Sequence, residues 1–153
     1  MAAYTDTLGF NKGTAAFPAE IDSISKFEVR LDFAAIVAAR TAAGATALAA
    51  GDSLEIIPLP AGSVVLSAGC QVIRAETTNT TATFSLGTTG GTTNLYTNAL
   101  ASNALGYGIT NLANPVVYAT TDTVDLLLNT AVPANAVINV FAIVANVSSS
   151  ALA

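Results

Sequence analysis

Two pairs of carboxylates, Asp52 with Glu55 and Asp122 with Asp125, are the side chains of this sequence best placed to do chemistry. Paired acids are what glycoside hydrolysis uses: one donates a proton while the other attacks or activates water. Both pairs sit in stretches that alternate like strands. Residues three apart on a strand face opposite sides, so neither pair converges on its own. The acids also miss the spacing of a calcium loop. They are expected to be turn and surface carboxylates, and a hydrolase ranks last among the functions considered.

Nucleophilic chemistry has even less to work with. The chain contains no histidine, which excludes Ser-His-Asp and Cys-His arrangements and a zinc site built on Cys and His. The single cysteine, Cys70, cannot form an intramolecular disulfide. It lies mid-strand beside Val72 and Ile73 with Arg74 the nearest cation, the setting of a buried structural thiol. "GTTGGTT" (87–93) lacks the lysine and spacing of a phosphate-binding loop, and "GYGITN" (106–111) lacks the third glycine of a dinucleotide fingerprint. Asn79-Thr80-Thr81 and Asn146-Val147-Ser148 match glycosylation acceptors, but in so Thr-, Ser- and Asn-rich a chain they are expected by chance. No catalytic, cofactor-binding or metal-ligating residue is assigned.

The elements around these residues are mostly strands. "FEVRLDF" (27–33) alternates apolar and charged residues with the two-residue period of a half-buried strand. The Ala-rich stretch after it, interrupted by Gly44 and Gly51, is taken as a continued strand and a loop, with a short helix as the alternative. "SLEIIPLPAG" (53–62) ends in a Pro60-Ala61-Gly62 turn, and Pro58 places it at a sheet edge or bulge. "SVVLSAGCQVIRAE" (63–76) is a long strand in which Gly69 suggests a bulge or bend. "TATFSLG", "VVYAT", "TVDLLLNTAV" and "AVINVFAIVANV" supply further strands, the last expected to be central. About eight short strands with Gly, Pro, Asn and Thr turns predict an all-β fold, an antiparallel β-sandwich or jelly roll.

Two segments break this rhythm. Residues 1–25 lack sustained periodicity and are expected to form an extended N-terminal arm on a sandwich domain of residues 26–153, with a frayed terminus as the alternative. Its spaced aromatics, Tyr4, Phe10 and Phe17, are candidate partner contacts. Residues 95–115 form a long, poorly periodic section expected to be a binding loop or to hold a helical turn, with Tyr96 and Tyr107 as further candidate contacts.

Composition points to a partner. Apolar residues make up 52% of the chain and charged residues only 10%, against about 25% in an average globular protein. Such a surface suits a protein that covers itself with a partner or with its own copies. The net charge is −5, four of the five cations (Lys12, Lys26, Arg30, Arg40 and Arg74) lie in the first 40 residues, and no basic run occurs, so nucleic acid is not an expected partner. "AVINVFAIVANV" is too short to cross a membrane as a helix. "MAAYTDTLGFNKG" lacks the basic start and apolar run of a signal peptide, so a chain made and kept in the cytoplasm is expected.

The stretch "GDSLEIIPLPAGSVVLSAGCQVIRAETTNTTATFSLGTTGG" (51–91) resembles the head decoration, or cement, proteins of tailed phages. The resemblance lies in the Pro60-Ala61-Gly62 turn, the valine-rich strand from Ser63 to Ala75, and Phe84-Ser85-Leu86-Gly87-Thr88. The closing "NTAVPANAVINVFAIVANV" resembles the last hairpin of that family, and the likeness spans roughly residues 51–147. It implies a β-sandwich, often trimeric, bound to the major capsid protein on the outside of a phage head. It thus implies a non-enzymatic virion protein without cofactors, assembled in the host cytoplasm. The alternative from another class is a receptor- or carbohydrate-binding sandwich, such as a spike, knob or fibre head, for which Tyr96 and Tyr107 would be the stacking residues.

Overall fold

The alternation at 27–33 has the consequence its period requires. Strand β2 (Ile24–Asp32) buries Val29 and Leu31 and exposes Lys26, Glu28 and Arg30 on its other face. The computed structural model describes residues 3–4, 8–10, 24–88, 92–111 and 117–146. Among these, β1 is Ala3–Tyr4, β3 Ser53–Leu59, β4 Ser63–Arg74, β5 Thr83–Gly87, β6 Thr97–Ala101 and β7 Gly106–Asn111. The remaining strands are β8 Val117–Tyr118, β9 Asp122–Leu128 and β10 Val137–Asn146, and the one helix, α1, is Phe33–Ala42.

The strands form two sheets, ordered β1-β3-β9-β5-β6 and β2-β10-β4-β7, with β8 also on β4. Apart from the two-residue β1 and β8, eight antiparallel strands interleave as 3-9-5-6 over 2-10-4-7. That order is a jelly roll, in which successive strands mostly cross from one sheet to the other. β10 lies between β2 and β4, as its β-branched sequence predicts. The facing sides close over a core that includes Leu31, Leu54, Phe84, Leu126 and Val140, all fully buried. Each such side chain contributes about 1.5–3 kcal/mol by leaving water.

Three local expectations are corrected. The Ala-rich stretch is a helix from Phe33 to Ala42, because its ends are well capped. At its start Asp32 Oδ1 accepts the N–H groups of Ala34 and Ala35. At its end Gly44, at φ +63°, lets its own N–H reach Thr41 O and the Ala45 N–H reach Arg40 O, a Schellman arrangement. Gly69 is not a bulge: the β4–β10 register shifts fall on either side of it, between Val137 and Ile138 and between Ile143 and Val144. A Cβ at Gly69 would stand 2.3 Å from Gly108 O and 3.0 Å from the Phe141 ring, so close packing is what requires glycine there. Residues 97–101 and 106–111 of the expected loop are the strands β6 and β7. Other expectations hold: Gly62 turns at φ +83°, and the β3–β9 register shifts between Glu55 and Ile57, just before Pro58.

Five residues near the chain start, 3–4 and 8–10, are described, and they lie against the sandwich. β1 pairs in parallel with Ser53 and Leu54 of β3, and Phe10 is buried in the core cluster. Gly9 makes the entry: it packs so close to α1 that a Cβ would lie 2.4 Å from Ile36 Cα.

One polar residue is buried in an unexpected way. Glu76, just after β4, is 2% exposed, yet its carboxylate accepts five backbone N–H groups. Oε1 takes Thr78 and Asn79 at 2.8 and 3.0 Å. Oε2 takes Ala134, Asn135 and Ala136 at 2.7, 2.8 and 3.0 Å. Burial pushes this carboxyl up, but the donors together outweigh burial and hold it at about 2, against 4.5 unperturbed.

Two predictions follow from this packing. Because the folded carboxyl titrates below the unfolded one, Glu76 contributes its full stabilisation above about pH 4.5 and loses it as pH falls toward 2. That contribution is roughly 3 kcal/mol. Urea unfolding of Glu76→Gln should therefore show a loss of that order at pH 7 that shrinks steadily toward pH 2; a deficit independent of pH would contradict the assignment. Phe10→Ala should cost about 3–5 kcal/mol in the same assay, as for a buried aromatic, whereas an unchanged midpoint would return Phe10 to the surface.

Candidate interaction surface

The carboxylate pairs belong to turns and strand contacts. Asp52 Oδ2 accepts the Ala49 N–H and closes the turn before β3. Asp122 Oδ1 accepts the N–H of Thr123, and the Thr123 hydroxyl donates to the buried Asp125 at 2.5 Å. Pairing between β3 and β9 sets Glu55 opposite Asp125, a juxtaposition across the two pairs that spacing within either pair does not reveal. Glu55 and Asp122 line an open cleft with Pro58, Thr121 and Thr123. Among the described residues no group of three or more His, Cys, Asp or Glu side chains is placed to hold a metal ion.

A second cleft of about 230 Å³ lies between α1 and the loops that Glu76 gathers, lined by residues including Val37, Leu48, Asn79, Val132 and Pro133. It is smaller than the roughly 300–1,000 Å³ of most small-molecule pockets. Arg40 borders it but is nearly buried, and its Nε and Nη2 both donate to Thr46 O.

The sequence-derived contact residues separate. Tyr107 is 73% exposed on β7. Tyr96 is a correction: it is fully buried, and its hydroxyl pairs with that of half-buried Tyr118 at 2.7 Å. Burial pushes both phenols up, so the pair stays neutral. Phe10 is corrected in the same way, as a core residue. Tyr4 lies in β1, in register with Leu54. Phe17 lies outside the described residues. The buried positions were not legible because periodicity in 1–25 and 95–115 is too weak to assign a face.

Exposed apolar side chains instead gather on one flank. β7 and β8 pair with the same side of β4, at residues 67–72 and 63–64 respectively, so they lie end to end along one sheet edge. On this edge Tyr107, Ile109 and Val117 are exposed, and Leu105, just before β7, is 72% exposed. Thr97 of β6 closes the flank by donating its hydroxyl to Gly108 O at 3.0 Å. Beneath it Cys70 is fully buried; burial pushes its thiol up to about 12, against a smaller opposing effect of the Thr97 hydroxyl. Native protein at pH 8 should therefore leave Ellman's reagent unreacted while denatured protein reacts one to one; rapid reaction of the native form would contradict this burial.

No family model and no curated protein sequence matches the chain. Its fold is shared with chains in solved structures. One, from an acidic stable capsid structure of Helicobacter pylori bacteriophage KHP30, aligns with a TM-score of 0.58 at 15% identity, over 84% of this chain and 92% of that one. Another, from the capsid of Ralstonia phage GP4, aligns with a TM-score of 0.57 at 16% identity, over 96% and 98%. A third, from the cyanophage Pam1 capsid asymmetric unit, aligns with a TM-score of 0.54 at 18% identity, over 86% and 91%. At these identities the likeness is one of fold.

Proposed function

We propose that the chain is a structural, non-enzymatic component of a phage virion, a head decoration or cement protein that binds the major capsid protein on the outside of the shell. The observation that carries this reading is the shared fold, which spans most of both chains in each of three phage capsid structures. The decoration motifs around Pro60-Ala61-Gly62 support the finer assignment, since that turn and the long β4 after it form as the resemblance implies. The outer position fits a chain with net charge −5, which is poorly suited to phosphate. Assembly in the host cytoplasm as a homo-oligomer, a trimer in the resembling family, completes the proposal.

Such a protein works by binding. Burying apolar area across shell boundaries yields about 25 cal/mol per Å², reduced by the entropic cost of association. Repetition around a closed shell makes modest contacts sufficient. The receptor- or carbohydrate-binding alternative now rests on Tyr107, because Tyr96 is in the core.

Quantitative mass spectrometry of purified particles tests the proposal. Decoration predicts a copy number in a simple ratio to the major capsid protein. A handful of copies would make the chain a spike or fibre component, and absence from particles would overturn the virion reading.

A further inference from the structure

The sequence contains no Asp, Glu, Lys or Arg between Glu76 and Asp122. Strands β5 to β8 all fall in this interval. The two that end the β2-β10-β4-β7 sheet, together with β6 opposite, therefore form a flank without a charged residue of their own. Its exposed apolar side chains Leu105, Tyr107 and Ile109 follow one another at alternate positions into β7, with Val117 farther along the same edge on β8, unlike the singly scattered apolar residues of an ordinary surface.

The other sheet edges carry the devices that prevent strand addition. β2 presents Lys26, Glu28 and Arg30. The other sheet ends on that side in β1, only two residues long, beyond which β3 has Pro58 and a register shift. β6 has a register shift against β5 between Phe84 and Leu86, and Ala99 within it adopts φ +48°. β7 has no proline and no charge, and its register with β4 runs from Gly106 to Asn111 without a shift. Among the described residues it pairs with β4 alone.

We propose that this uncharged β6-β7-β8 flank is where the chain meets a second copy of itself, flank to flank around a symmetry axis. Charge decides the occupant. Two copies at −5 each repel wherever their acids face one another. An uncharged surface can be brought against its own image without that cost. A charged foreign partner, by contrast, finds no complementary group here to orient it. Depletion of charge around a tyrosine and aliphatic side chains is also the composition of an interface core. A two-fold pair sets the flank against its own image and a three-fold ring gathers it around the axis; the inference rests on the homo-oligomer of the proposed function and names its surface, but does not need the shell.

Sedimentation equilibrium of the purified full chain tests it. The expected result is an oligomer at micromolar concentration that persists in high salt, because screening weakens the repulsion and leaves apolar contact intact. Tyr107→Asp combined with Ile109→Asp should weaken association by about tenfold or more, with an unchanged melting curve as the check on folding. Ile24→Asp, on the β2 edge, should leave it unchanged. Cross-linking gives a second measurement that preserves the flank: Leu105→Cys should yield a covalent pair with a short bismaleimide while buried Cys70 stays silent, and Ile24→Cys should not. A wild-type monomer, an oligomer indifferent to the double substitution, or cross-linking through position 24 in place of 105 would each overturn the proposal.

Discussion

A carboxylate sealed from water is tolerable only if its charge is answered, and in this fold the answer comes entirely from the main chain. Glu76 draws N–H groups from 78–79 on one side and 134–136 on the other. These are the connections that leave β4 for the opposite sheet and return from β9 to β10. Removing an ionised group from water costs several kcal/mol, and an unanswered backbone donor costs further. Five charge-assisted hydrogen bonds satisfy both debts at once. The two crossings are thereby tied to one another.

The same end of the sandwich is knit together by residues that touch this center in turn. Arg74, at the end of β4, donates Nε to Asn135 O and pairs through Nη2 with Asp32 at 3.2 Å. Asp32 in turn caps α1, and the Phe33 N–H reaches Ala136 O. Phe33 is then placed to stack on Phe84 with ring centroids 5.5 Å apart, joining the helix to the core between the sheets. The exposed Arg74–Asp32 pair adds little energy by itself. Its value is geometric, since Asp32 is the point where strand becomes helix.

The legible and illegible parts of the sequence divide along physical lines. Alternation in β2 and β9 and β-branched content in β10 exposed the sandwich, because one buried face imposes a two-residue period. The Pro60-Ala61-Gly62 turn was legible because only glycine takes its φ cheaply. The helix was obscured because the strand alternation runs straight into Phe33 and most of the helix is Ala, although Asp32 before it, Gly44 after it and the buried Phe33, Ile36 and Arg40 at helical spacing are signals of it. Glu76 gave no signal, since a lone Glu after a strand ordinarily faces solvent and its five donors are spread over sixty residues of sequence. Phe10 and Tyr96 were misplaced for a related reason: a single aromatic in an irregular segment can lie in a core or on a surface with equal local sequence. The charge-free interval, in contrast, was plain in the sequence; only the topology turned it into a continuous flank.

That flank and the Glu76 end represent two opposite uses of polarity. Where loops cross, polar groups are gathered inward and paired, so the end is rigid and internally satisfied. Along β7 there is no charged group, the Gly108 carbonyl is answered by the Thr97 hydroxyl, and the exposed apolar side chains Tyr107 and Ile109 meet water. A chain that stayed a monomer would be protected from strand addition by a lysine or proline there, such as Lys26 on β2 or Pro58 on β3. Retaining a bare edge makes physical sense when association covers it, since the apolar surface then contributes to assembly and the edge ceases to be a hazard. A body made rigid by internal pairing at one end and left uncommitted along one flank loses little conformational entropy when it associates, which is the condition under which small repeated contacts accumulate into a stable assembly.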